Sequence, residues 1–338
     1  MESEASGRRE VRRGLMWAAA FVVLALGLAG VVTVTFDQEE ALLRLAREAN
    51  PGWVALGGCL MTSGMVALAA RWRAFFPAET KAGLPVLTSI LLVGGLMNYA
   101  LPGPAGELVG AAMAGRRFNL SAERALAAGI AARFSGLGLS GAIAIVLTTT
   151  GRVQVLPEWS SLIGTATLII GGAAVTLLIL AGFPGLWKSL ANATTGRVAL
   201  LRGLHASVER FVDALASLRD LGVGAWLRGL GWALVGHGLV VGGIALMAHG
   251  LHVAPDLMGL IFTYTASTAG AIILFLFPGG QIGWDSAFTS LLVASAHLDL
   301  SGAVALALLV RLQQLLLVVL GAVALIRSVT DGTRPLVG

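Results

Sequence analysis

Leu101-Pro102-Gly103-Pro104-Ala105-Gly106-Glu107 and a later echo, Phe277-Pro278-Gly279-Gly280-Gln281-Ile282-Gly283-Trp284-Asp285, decide how this chain is read. Each stretch ends an apolar segment with Pro and Gly, the residues least compatible with a continuing helix. Each then places one carboxylate shortly after a Gly. Each is followed by Leu-Ser, at Leu120-Ser121 and Leu300-Ser301, opening a further apolar helix. Those helices carry Arg133 and Arg311 deep inside them. Broken apolar segments at matching places in two halves are the sequence mark of a transporter-like repeat.

Composition agrees. Of 338 residues, 57% are hydrophobic and only 12% charged, with mean hydropathy +0.85. A soluble domain carries about 25% charged residues, so this chain belongs with polytopic membrane proteins. The 45 glycines suit helices that pack closely in lipid or break within it. The lone Cys59 excludes a disulfide framework and a Cys-based metal site. The net charge of +5 does not signal nucleic acid, because the arginines sit mostly in segments expected on the cytoplasmic side.

In order, residues 1–13 read as a basic cytoplasmic tail. Residues 14–35 are an apolar span running outward. They resemble a retained span more than a signal peptide, since no small-residue cleavage site follows. Asn50-Pro51 is an N-cap with Pro in the first turn. The span that follows, 52–70, ends at Arg71-Trp72-Arg73, an Arg/Trp pairing that suits a membrane interface.

Residues 84–101 stop at Leu101-Pro102. The helix after the break, 105–115, is too short to span, so 84–117 is expected to form a re-entrant hairpin. Ser121 caps a span over 121–150. An outer loop, 151–159, joins it to a span over 160–182. Residues 183–222 include an amphipathic helix that lies on the inner membrane surface or packs on the protein as a linker. A span over 223–250 follows. A second hairpin breaks at Pro278, with a short helix over 284–296, and a last span covers 301–326. Residues 327–338 form a second cytoplasmic tail. The expected fold is all-α, with about six transmembrane helices plus two re-entrant hairpins. They form an inverted repeat of 14–150 and 160–326 within one transmembrane domain, 14–326.

Arg133 lies about 18 Å along its helix from Ser121, and Arg311 about 15 Å from Ser301, at 1.5 Å per residue. Both fall near the midplane, where a charge costs about 3 kcal/mol or more and must find a partner or a wet cavity. Two readings stay open. The arginines can grip an anionic head group, or they can pair with Glu107 and Asp285 to lock the fold; one arginine can do both. Gly103, Gly106, Gly279, Gly280 and Gly283 let a ligand approach backbone N–H groups at the broken helix ends. Glu107 and Asp285 can instead satisfy those helix dipoles, bind an amino head group or carry a coupling proton. Asn98, Gln281, Gln313 and Gln314 lie near the same depth, where such residues bridge helices or contact substrate. His237 reads as a packed, hydrogen-bonded residue. No catalytic motif, metal-ligand cluster or cofactor fingerprint is found, so neither enzymatic activity nor a cofactor is expected.

Asn98-Tyr99-Ala100-Leu101-Pro102-Gly103-Pro104-Ala105-Gly106-Glu107, with Leu120-Ser121, Ala125-Leu126 and Arg133, resembles the membrane region of bacterial lysylphosphatidylglycerol synthases. The second stretch, Phe277 to Gly283, and Arg311 resemble that family's second motif. The likeness covers about residues 15–326. Members usually carry Glu where Asp285 stands, and an Arg commonly follows the first Gly-Glu pair; here Leu108-Val109-Gly110 follows. The resemblance implies lipid translocation in the bacterial inner membrane; the basic flanks of the first and last spans put both termini on the cytoplasmic side. It also implies a lipid partner that is anionic or aminoacylated, or a glycolipid. Bifunctional members add a cytosolic domain that transfers lysine from lysyl-tRNA; with the sequence ending at Gly338, no such domain is expected. The alternatives are a membrane subunit that serves a soluble partner enzyme, and an intramembrane enzyme acting on lipid.

Overall fold

The computed structural model describes residues 39–100, 105–155, 202–274 and 280–330, with scattered positions between 161 and 185. Among these residues every regular element is helical. They are α1 (Glu39–Glu48), α2 (Pro51–Arg73), α3 (Leu84–Ala100), α4 (Ala105–Phe118), α5 (Ala122–Thr149), α6 (Arg202–Ala216), α7 (Gly222–Gly250), α8 (Leu257–Leu274), α9 (Gly280–Ala296) and α10 (Leu300–Thr330). A 3-10 turn, Ser217–Leu221, joins α6 to α7. The helices α2, α5, α7 and α10 are long and apolar enough to cross a membrane. They match four of the expected spans. The span expected at 14–35 lies outside the described residues, and that at 160–182 is described only at isolated positions.

Local chemistry sets the helix starts. The Asn50 side chain accepts from the N–H of Gly52 at 3.0 Å, and Pro51 occupies the first turn of α2. Ser121 accepts from Arg124 N–H at 3.1 Å and caps α5. In the second half the start is different. Asp299, not Ser301, precedes α10, and its carbonyl accepts from Ala303 N–H at 3.0 Å while its carboxylate takes the Ser301 hydroxyl.

The centre of the bundle is an antiparallel pair, α2 against α7. Asn50 N–H meets Gly250 O at 2.8 Å at one end, and the Phe75 and Trp226 rings meet edge to face at the other, 4.9 Å apart. Gly229, Gly236, Gly243 and Gly250 recur every seventh residue along α7 and form the seam. A Cβ placed on Gly57 would lie 2.5 Å from Gly243 O, so the backbones are in direct contact. Lipid offers no hydrophobic drive between helices, and small residues that permit such contact supply the packing instead.

Two helical hairpins flank this spine, α3–α4 and α8–α9. The first opens at the end that holds Phe75, Phe76 and Phe118. The second opens at the opposite end, where Asp256 N–H bonds Ala296 O at 2.9 Å and Val253 lies against Gly302. The contacts alternate between halves: α3 packs on α10, and α8 packs on α5, while α4 lies on α5 and α9 on α10. Large apolar side chains at Leu312, Leu316, Val319 and Val323 stay exposed along α10, as do Val223, Leu227, Leu230 and Leu234 along α7. Each set keeps a spacing of three or four residues, which gives one lipid-facing stripe per helix.

Three expectations are corrected. The short hairpin helices are longer than the breaks suggest. α4 runs through Arg116 and Arg117 to Phe118, since arginine is a good helix former. α9 begins at Gly280 rather than 284, because glycine in a first turn costs only about 1 kcal/mol and no proline follows. The second correction concerns the polar segment. The described part of 183–222 packs on the protein, as the linker alternative has it: Val212, Leu215 and Leu218 are buried in the core around Phe75, and Arg210 Nε bonds Glu123 at 2.7 Å. Third, Arg71 and Trp72 do not anchor a membrane surface. Trp72 is buried and donates from Nε1 to Ala125 O at 3.2 Å, and Arg71 points into the bundle. Successive helical residues diverge by 100°, so Arg73 alone of the three remains exposed.

Candidate functional site

Each hairpin's second helix carries its carboxylate near its start, and each meets the arginine of the span that follows. Glu107 on α4 pairs with Arg133 on α5, and Asp285 on α9 pairs with Arg311 on α10. In both halves the arginine follows its carboxylate by 26 positions.

The first pair is assembled around a close approach. A Cβ on Gly94 would sit 3.0 Å from Gly106 O, so α3 and α4 touch through bare backbone. That brings Asn98 Oδ1 within 2.7 Å of Gly106 N–H, and Asn98 thereby caps α4. Its amide also reaches Glu107 Oε1 at 3.4 Å. The Gly106 N–H is therefore occupied rather than open to an anion. Glu107 stays partly exposed, and the Arg133 side chain is 51% exposed.

The second pair is enclosed. The Arg311 side chain is only 11% exposed. Its Nε donates to Asp285 Oδ2 at 3.1 Å, and Nη2 bonds the same oxygen. Nη1 reaches Tyr99 Oη at 2.9 Å and Gln314 Oε1 at 2.8 Å. Tyr99 closes the set by donating to Gln314 at 3.0 Å. Tyr99 belongs to α3, so the far end of the first hairpin is stitched to the ion pair of the second half. Asp285 Oδ1 is buried without a hydrogen-bond partner.

Of the other residues marked in the sequence, Gly280 and Gly283 form the start of α9, and Gln281 lies between them on the same helix. Gly103 and Gly279 lie outside the described residues. Gln313 donates to Thr62 Oγ1 at 3.3 Å and bridges α10 to α2. His237 is buried, with Nε2 2.7 Å from Ser140 Oγ and 3.2 Å from Gly136 O. It packs edge-on against Tyr264, 5.5 Å away, and so ties α7 to α5 and α8. Sequence reasoning missed Tyr99 and Arg71 as site residues. Two signals were available: the equal 26-residue spacing, and the fact that the chain has only two tyrosines, each on the first helix of a hairpin. Among the described residues, no group of His, Cys, Asp and Glu is placed to hold a metal ion.

This combination defines a multi-pass helical membrane protein with two arginine–carboxylate pairs between its helices. A family model, Lysylphosphatidylglycerol synthase TM region, matches residues 16–322, and the chain belongs to that family. No curated protein and no solved structure compared with the chain gave a match.

Proposed function

We propose that the protein is a lipid flippase-like transporter that moves a phospholipid head group across a bacterial inner membrane. The single observation carrying this reading is the Glu107–Arg133 pair, ionisable and partly open yet held about 18 Å along a membrane span. Charged groups at that depth line pathways for polar cargo, because the cost of burying them is otherwise unreturned. Hairpins opening at opposite ends, cross-packed on each other's last spans, support an inverted repeat of two re-entrant units. A ligand between the halves can then contact either side in turn. The basic residues near each end of the sequence support a cytoplasmic side for both termini. The protein acts by binding and conformational change, not by bond-making, and lipid is its partner.

The test is transbilayer movement of fluorescent phosphatidylglycerol in proteoliposomes. The intact protein accelerates exchange over protein-free vesicles. Arg133→Ala, folded by its melting profile, loses most of that rate; equal rates with and without the arginine would remove Arg133 from the pathway.

A further inference from the structure

Arg71 lies in the last turn of α2 and would ordinarily extend toward water from that position, as long cationic side chains near helix ends do. Here it turns the other way. Its guanidinium lies against Gly136 on α5, so closely that any Cβ there would overlap Nη1. Gly136 stands one helical turn beyond Arg133, on the same face of α5. Arg71 is near enough to Arg133, Tyr264 and His237 to interact with them electrostatically. Its Nε is sealed from solvent and has no hydrogen-bond partner. Among the described residues no carboxylate forms an ion pair with Arg71, and Glu107 is engaged by Arg133.

Among the described residues the two guanidinium groups thus have one carboxylate partner between them, which leaves one net positive charge and, on the enclosed Arg71, an unused N–H donor. Like charges so placed repel, and an unsatisfied charged donor is costly. A group with one negative charge and two or more acceptor oxygens removes both costs. A phosphodiester has that charge and two non-bridging oxygens, and guanidinium forks recognise it in bidentate fashion. The second half offers no such vacancy, because Nε, Nη1 and Nη2 of Arg311 are all engaged.

We propose that Arg71 and Arg133 form a binding site for the phosphate of a phospholipid head group, with Gly136 as the notch that admits the Arg71 guanidinium. The site deepens the transport reading by naming the group held, but it stands or falls by binding, not by movement.

Native mass spectrometry of the full chain in a neutral detergent tests it, with added dioleoylphosphatidylglycerol or digalactosyldiacylglycerol, which has no phosphate. The intact protein retains the phospholipid and not the galactolipid. Loss of a charge-assisted hydrogen bond lowers phospholipid retention by about tenfold in Arg71→Gln. Gly136→Ala, which keeps every charge and displaces the guanidinium, gives a similar loss. Arg71→Lys, which keeps the charge without the fork, covers the case in which Arg71→Gln does not fold, and it also weakens retention. Unchanged retention in folded Arg71→Lys and Gly136→Ala overturns the site, as does equal retention of the galactolipid by the intact protein. Inorganic phosphate at millimolar concentration is the second arm: binding of phosphate without the phospholipid overturns a lipid source. Retention without transbilayer movement removes the transport reading and leaves the site; movement that survives Arg71→Gln with unchanged retention does the reverse.

Discussion

The two ion pairs share a plan and differ in use. Glu107–Arg133 and Asp285–Arg311 have the same spacing and place each arginine at the same position of its helix, yet one arginine is 51% exposed and the other 11%. Arg311 satisfies three nitrogens on Asp285, Tyr99 and Gln314, and through Tyr99 it binds the first half of the chain to the second. Arg133 has one carboxylate partner and a neighbouring Arg71 of like charge. The lesson is that repeated motifs need not keep repeated roles. One pair is tied to both halves through Tyr99, and the other stays half open.

That contrast can be broken by substitution, and the largest effect belongs to Arg311→Gln. Removing one partner of an enclosed pair leaves Asp285 uncompensated and costs about 3 kcal/mol or more, read as a loss of resistance to dodecyl sulfate unfolding in mixed micelles. A cost below about 1 kcal/mol would mean that the second pair is no lock. Tyr99→Phe removes only the hydroxyl that joins the halves; a hydrogen bond to a charged group is worth about 1.5 kcal/mol, measured the same way. A double-mutant cycle with Gln314→Ala should show coupling, since both residues share the Arg311 Nη1 group. Asn98→Ala uncaps α4 and costs about 1 kcal/mol, with amide exchange rising first at the start of that helix. Arg133→Gln sharpens the comparison from the other side. Its stability changes least, by under about 1 kcal/mol for a half-exposed pair, while lipid movement falls most.

Much of this was legible in the residues themselves. Asn50 and Ser121 announced helix starts because a cap is a local hydrogen bond that needs only its own neighbours. Arg133 and Arg311 stood out because their depth follows from counting along a helix. The direction of Arg71 could not be found this way. Arg-Trp-Arg at a helix end matches an interfacial anchor, and what turns Arg71 inward is a notch at Gly136 on a helix distant in sequence. The amphipathic stretch was ambiguous for a related reason. An apolar face has the same periodicity whether lipid or protein covers it, and only the burial of Val212 and Leu215 decides between them. Family membership was visible in the Pro-Gly break with its carboxylate and distant arginine, and the match over residues 16–322 establishes it.

The glycine seam of α7 has a consequence for how variation in this chain is judged. Measured by affinity for lipid, alanine is the mildest replacement a membrane helix can receive. At Gly243 it would be among the harshest, since its methyl would overlap Met61 and lie 2.6 Å from Gly57 O. Harm along this spine follows volume rather than polarity. A scale built on hydrophobicity would rank its most damaging changes as harmless.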